Sequence, residues 1–335
     1  MIKKLLFIVI FALMGISHSF IILILNLLGR HREYAEFSKR MMMDAFSYVY
    51  QYGFNSSIYY SGEWRKTNNI DILICNHTNT ADFMLMSALI KNFDDKDVYW
   101  VVKKDVVWLL GTGIIWASTN DIKMERCIEK DEENMKKFVN RINDGIIIIL
   151  PEGTRFSEKK LIKAQEYSKE NNLPVFKNLL FPKMKGIHLI INQLNKGNKL
   201  GNLIDITSFV ENFKNKKALV HDLLGKQLGN TFAIIKTHEI DKSKIEDYQE
   251  FKTYFLETVW KEKEYLLDNY NKYQFQRLEI EFKMSSFLLN FIVCSLFVHM
   301  TVNTKGIFLL LNIVVPYLVL IIKLKCRKRK KYLNN

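Results

Sequence analysis

The chain has 335 residues, enough for one large domain or two modest ones, with 48% hydrophobic residues and a formal net charge of +14. Its four cysteines, Cys75, Cys127, Cys294 and Cys326, are scattered and form no CxxC pair. That excludes a disulfide framework or a cysteine zinc site and points to a reducing compartment. Half of the charge excess lies in "KLKCRKRKK" (323–331), with no interleaved aromatics, so the positive-inside flank of a membrane helix, able to meet anionic headgroups, is a better reading than nucleic acid.

Residues 5–28 are nearly free of charge, as are 285–304 and 306–322. Each approaches the roughly 20 residues of a membrane helix, and an integral membrane protein is expected. The first stretch is too long for a signal peptide, lacks a small-residue cleavage site and runs into a basic segment. Its centre, "GISHS" (15–19), is polar enough to break it in two. It is either a span or a re-entrant hairpin. Residues 41–52 look amphipathic, and the three consecutive methionines there pack either on lipid or in a core.

From 61 to 240 short apolar runs alternate with amphipathic ones. Strands are expected over 70–75, 98–102, 146–150, 203–210 and 232–235, all β-branched or aromatic and bounded by polar turns. A helix is expected over 131–143, with Met135, Phe138, Val139 and Ile142 at helical spacing and Gly145 as its C-terminal cap. This alternation defines an α/β fold, a mostly parallel sheet flanked by helices, with membrane helices at both ends. Residues 243–270 are charged, amphipathic and free of Gly and Pro, so one or two helices return the chain toward the membrane. An apolar hairpin over 287–322, turning at 303–306, puts the basic tail and the catalytic domain on the cytoplasmic side. The expected divisions are 1–60 (membrane segment and amphipathic helix), 61–240 (catalytic domain), 241–284 (helical extension) and 285–335 (hairpin and tail).

Two stretches carry chemistry. In "ICNHTNTADFM" (74–84) a buried strand ends just before His77, where open α/β sheets bind ligands. Thr78, Asn79 or Thr80 can cap the next helix, placing Asp82 in its early turns. Asp82 then reaches one ring nitrogen of His77, fixes the tautomer and leaves the other nitrogen as a base. In "GIIIILPEGTR" (145–155) a strand buried on both faces runs into Glu152, Gly153, Thr154 and Arg155. Gly153 permits close backbone approach and Arg155 suits phosphate, although a solvated polar loop has the same composition. Arg126 ends "NDIKMER", and Lys183 and Lys185 flank the turn "FPKMKG"; alone, each reads as a surface cation.

Together, the order Asn-His-xxxx-Asp, Arg, Pro-Glu-Gly-Thr-Arg and a hydrophobic-Pro turn resembles the glycerophospholipid acyltransferase family. Its best-known members acylate lysophosphatidic acid. "KENNLPVFKNLLFPKMKG", "WKEKEYLLDNY" and the C-terminal apolar pair look like the branch containing lysocardiolipin acyltransferase. The resemblance implies His77 as general base and Asp82 as its orienting partner. It implies Glu152, Gly153 and Thr154 at the glycerol moiety, Arg126 and Arg155 at the phosphate, and Lys183 and Lys185 at an anionic headgroup. It implies acyl-CoA as co-substrate, no cofactor and no metal, and a lysophospholipid acceptor in the bilayer: lysophosphatidic acid, or a remodelling substrate such as lysophosphatidylinositol or lysocardiolipin. The location it implies is an intracellular membrane, the endoplasmic reticulum or its equivalent. One departure is Lys123, where the family usually places an aromatic residue. The alternatives are a thioester or ester hydrolase, although no Gly-x-Ser-x-Gly elbow is present, and a catalytically inactive lipid-binding relative.

Overall fold

Two apolar runs, Ile70–Cys75 (β2) and Gly145–Ile149 (β5), pair in parallel from Ile70 opposite Gly145 to Ile74 opposite Ile149. Every residue of both is buried, as expected of β-branched strands covered on both faces. The computed structural model describes residues 2–48, 50–51, 56–79, 82–109, 112–125, 127–211, 229–280 and 284–303. The other strands are β1 (Ile58–Gly62), β3 (Val98–Lys103), β4 (Ile122–Met124), β6 (Leu200–Val210), β7 (Thr231–His238) and β8 (Gln276–Arg277). They form one sheet in the order β4-β3-β5-β2-β6-β7-β1-β8. The first five are mutually parallel, β7 runs antiparallel to β6 and parallel to β1, and β8 closes antiparallel on β1.

The chain forms two compact units. The first holds the sheet with helices α3 (Asp82–Phe93), α5 (Ile128–Arg141), α6 (Glu158–Glu170) and α7 (Met184–Lys196). Ile70, Ile72, Ile74, Ile147 and Ile149 share one core with Met135, Phe138 and Val139 of α5 and Ile187, Ile190, Ile191 and Leu194 of α7. Each such side chain contributes at most about 1.5–3 kcal/mol by burial. Helix α5 begins three residues before the expected start, and Gly145 does not cap it: Ile142 does. Gly145 opens β5 at φ +128°, where a Cβ would lie 2.8 Å from the Asp97 carbonyl oxygen and against the Tyr99 ring. Asp247 caps a final helical run by accepting from the Gln249 and Glu250 N–H groups. That run comprises Tyr248–Tyr254, a π-helical turn Phe255–Trp260 and Lys261–Asp268.

The second unit includes α1 (Ile2–Leu27), most of α2 (His31–Tyr48), α4 (Gly113–Ser118) and the helix Met284–Asn303. Helix α1 is unbroken across 15–19, so of the two forms left open its polar centre does not produce the half-helices of a hairpin. The polar centre is accommodated by packing: Ser17 donates to the Met14 carbonyl (3.0 Å), and His18 Nδ1 lies 2.9 Å from the Tyr34 hydroxyl and 3.2 Å from that of Ser38. Ile22, Ala35, Met42, Ile114 and Ile115 form this unit's apolar cluster.

No helix among the described residues is long and apolar enough to cross a membrane. This corrects the expected membrane helices at both ends, and with them the integral-membrane protein resident in an intracellular membrane. The apolar count along 5–28 hid a polar centre that α2 receives, and Met284–Asn303 interleaves Ser285, Ser286, Asn290, Ser295, His299 and Thr301 with its apolar residues. The segment 306–322, the basic tail and Cys326 lie outside the described residues.

Candidate active site

The site begins where the backbone ladder of β2 ends. The buried Asn76 side chain continues that ladder, accepting from the Ser208 N–H (2.8 Å) and donating to the Ser208 carbonyl (2.9 Å). The next residue, His77, is gripped through its backbone by the loop after β5. Its N–H donates to Glu152 Oε1 (3.2 Å), and its carbonyl accepts from the Phe156 N–H (2.7 Å). Sequence reasoning assigned Asn76 no role, although an Asn at the end of an apolar strand is a residue able to mimic a peptide group.

Asp82 lies 2.9 Å from His77, Oδ2 to Nδ1. Oδ2 also accepts from the Asn79 N–H (2.9 Å), and Oδ1 accepts from the Thr78 hydroxyl (2.9 Å). The carboxylate is buried, 3% exposed, whereas the His77 side chain keeps 21% of its surface. With Asp82 on Nδ1–H, the ring presents Nε2 as its basic nitrogen, and Nε2 has no hydrogen-bond partner among the described residues.

Glu152 is 2% exposed, and its Oε2 accepts no hydrogen bond among the described residues. Burial pushes this carboxyl group well above the usual carboxylate range; the His77 N–H acts against that and the Asp82 charge adds to it. Gly153 follows at φ +64°, a left-handed conformation that glycine adopts without penalty. A Cβ there would lie 3.1 Å from Cδ and 3.4 Å from Nζ of Lys183, so the lysine chain lies across the glycine. The Lys183 N–H donates to the Pro151 carbonyl (2.8 Å), tying the "FPKMKG" turn to the "PEGTR" loop.

The remaining candidates are placed less centrally. The Thr154 hydroxyl accepts from Lys160 Nζ (2.6 Å), which also donates to the Arg155 carbonyl (2.9 Å). The sequence reading missed Lys160; its one signal was a position on the first turn of the helix after the loop. Arg155 is exposed where the loop ends, and Lys185 is exposed on the first turn of α7. Arg126 lies outside the described residues. The structure thus brings His77, Asp82, Glu152, Gly153 and Lys183 together, with Thr154 and Arg155 next along the loop. Cys75, adjoining the site, is fully buried, and burial pushes its thiol up, away from nucleophilic thiolate chemistry. Among the described residues no group of three or more His, Cys, Asp or Glu could hold a metal ion.

The structure therefore sets a histidine–carboxylate pair at the end of a parallel strand, beside a buried acid and a glycine turn, in an α/β domain. Residues 58–180 match the protein family described as Acyltransferase. A probable 1-acyl-sn-glycerol-3-phosphate acyltransferase 5 from Arabidopsis thaliana is 25% identical over 144 residues, covering 42% of this chain and 38% of that protein. The 1-acyl-sn-glycerol-3-phosphate acyltransferase 2 of Brassica oleracea is 32% identical over 120 residues, 34% of this chain and 31% of that protein. The chain therefore spans about a third of the length of the curated relatives it matches. The crystal structure of the 1-acyl-sn-glycerophosphate (LPA) acyltransferase PlsC from Thermotoga maritima covers 79% of this chain at 17% identity and a TM-score of 0.45, with 97% of that chain aligned. The family match and the two plant relatives relate the chain to the 1-acylglycerol-3-phosphate acyltransferases. The narrower resemblance to the lysocardiolipin branch finds no support in them.

Proposed function

We propose that this chain transfers a fatty acyl group from acyl-CoA to the free hydroxyl of a lysophospholipid, with residues 61–240 as the catalytic domain. The observation that carries the reading is the 2.9 Å contact of His77 Nδ1 with Asp82 Oδ2, made with Nε2 left unengaged. Nε2 takes the proton of the acceptor hydroxyl as that oxygen attacks the thioester carbonyl. The C–S bond breaks, and the departing thiolate receives the proton from the imidazolium. Coenzyme A is a good leaving group, so a positioned base suffices without a covalent serine or cysteine intermediate. Glu152, Gly153 and Thr154 would meet the glycerol moiety, and Arg155 and Lys183 the acceptor's phosphate. Arg126 and Lys185 are proposed for the same anionic group on the resemblance alone. Lysophosphatidic acid leads as acceptor, since the relatives named above carry 1-acyl-sn-glycerol-3-phosphate in their names. Lysophosphatidylinositol and lysocardiolipin remain as remodelling acceptors.

The test incubates the expressed full chain with radiolabelled oleoyl-CoA and a panel of lysophosphatidic acid, lysophosphatidylinositol, lysophosphatidylglycerol and lysocardiolipin. Transfer to one or two acceptors, abolished in His77→Ala, is expected. Release of free oleate without any acceptor, or equal product from wild type and His77→Ala, would replace the reading with a hydrolase or an inactive lipid-binding relative.

A further inference from the structure

The helical run after the sheet does more than complete the core. Lys263 is fully buried: Nζ donates to the Ile206 carbonyl (2.7 Å) and the Thr207 hydroxyl (3.2 Å) and pairs with Asp205. Ile206 stands opposite Cys75, two residues before His77, in the β2–β6 register. The helix is therefore anchored to the strand beside the one that presents the base. From the same helix Glu264 reaches the chain leading to Lys183. Its carboxylate accepts from the backbone N–H groups of Lys177 (2.6 Å) and Asn178 (3.0 Å) and from the Asn178 side chain (3.3 Å). Asp268 accepts from that side chain too (3.0 Å), and the Trp260 indole N–H donates to the Leu180 carbonyl (3.1 Å). Three residues beyond Leu180, Lys183 binds the Pro151 carbonyl and crosses Gly153.

We infer that Glu264 is a positioning residue for the acceptor site: with Trp260 it clamps segment 177–180 and so sets Lys183 over the Gly153 turn. The inference rests on the acyltransferase reading and concerns the acceptor alone. Two backbone N–H groups converging on one carboxylate are fixed more firmly than solvated ones, because charge-assisted bonds are roughly twice as strong as neutral ones. Releasing them frees the segment that carries Lys183, while the hydrogen bonds among His77, Thr78, Asn79 and Asp82 do not involve that segment.

The experiment measures steady-state kinetics of the full chain with oleoyl-CoA and the acceptor that wild type uses, on Glu264→Ala, Glu264→Gln, Trp260→Phe, Lys183→Ala and the Lys183→Ala/Glu264→Ala double variant. Glu264→Ala is expected to raise the acceptor KM about tenfold with kcat and the acyl-CoA KM unchanged, the signature of lost uniform binding. Glu264→Gln keeps an accepting oxygen and restores a KM near wild type. Trp260→Phe, which loses the indole N–H together with part of a fully buried ring, moves the acceptor KM in the same direction. Because Glu264 acts through Lys183, the double variant matches Lys183→Ala alone instead of multiplying the two effects. An unchanged acceptor KM in Glu264→Ala and Trp260→Phe, or multiplicative effects in the double variant, overturns the inference while the acyltransferase reading stands. A wild type that transfers to no acceptor overturns that reading and this inference with it.

Discussion

His77 Nδ1 and Asp82 Oδ2 stand 2.9 Å apart, and the same carboxylate oxygen accepts from the Asn79 N–H ahead of the helix that Asp82 begins. One oxygen therefore joins the His77 ring to the start of α3. Replacing Asp82 with Asn substitutes an amide that can donate to Nδ1 and move the ring proton to Nε2. Asp82→Asn should lower kcat by about 10²–10⁴-fold, the usual range for a positioned acid or base, with both KM values little changed. Steady-state kinetics beside circular dichroism checks this; an unaltered kcat would remove Asp82 from the catalytic pair.

Glu152 gives a pH dependence of defined sign. Burial raises its folded-state pKa above the unfolded value. The folded chain thus holds its proton where the unfolded chain has lost it, and stability falls as pH rises from the unfolded pKa up to the raised folded one. Glu152→Gln removes that penalty. The variant should gain melting temperature relative to wild type at pH 8 and show little gain at pH 4, read from thermal melts at both values.

The paired hydrogen bonds of Asn76 with Ser208 lie in a buried site. Asn76→Ala orphans one N–H and one carbonyl, at a cost of about 1–3 kcal/mol for each unsatisfied group. Urea denaturation should show a lower midpoint with an unchanged slope, and kcat should fall because the base at 77 loses its fixed starting point.

Lys263 and Asp205 form a buried ion pair with side-chain exposures of 0% and 1%. Lys263→Met strands the Asp205 charge and should cost about 3–5 kcal/mol, whereas Lys263→Met/Asp205→Leu should recover most of it. Burial alone would raise the Asp205 pKa, but the Lys263 ammonium and His238 outweigh it and hold the carboxyl below its usual value. The pair's contribution is thus fully present above the ordinary aspartate pKa and lost as pH falls through the lowered folded value. Chemical denaturation of both variants and wild type at pH 7 and pH 3.5 tests both statements.

Local pattern was enough for the centre of the molecule. The runs "IDILIC" and "IIIIL" read as buried strands because short β-branched runs suit little else; the first lies where expected and the second one residue earlier, at Gly145–Ile149. The spacing of His77 and Asp82 was legible as well, because the strand end at Cys75 and the helix start at Asp82 fall within eight residues. The edge of the sheet was not legible. β1 pairs with β7, far along the chain, and β4 has three residues, so neither carries a local signal. Apolar length was read as membrane helices, yet Ser17, His18 and Ser19 are buried, and α1 needs no break because α2 supplies partners for His18. Lys263, in a run of charges that reads as a solvated face, is fully buried because Asp205 and two oxygens of β6 meet it. Periodicity and strand ends are properties of neighbours in sequence. The partner of a buried polar group is a property of neighbours in space, and only the folded chain selects it.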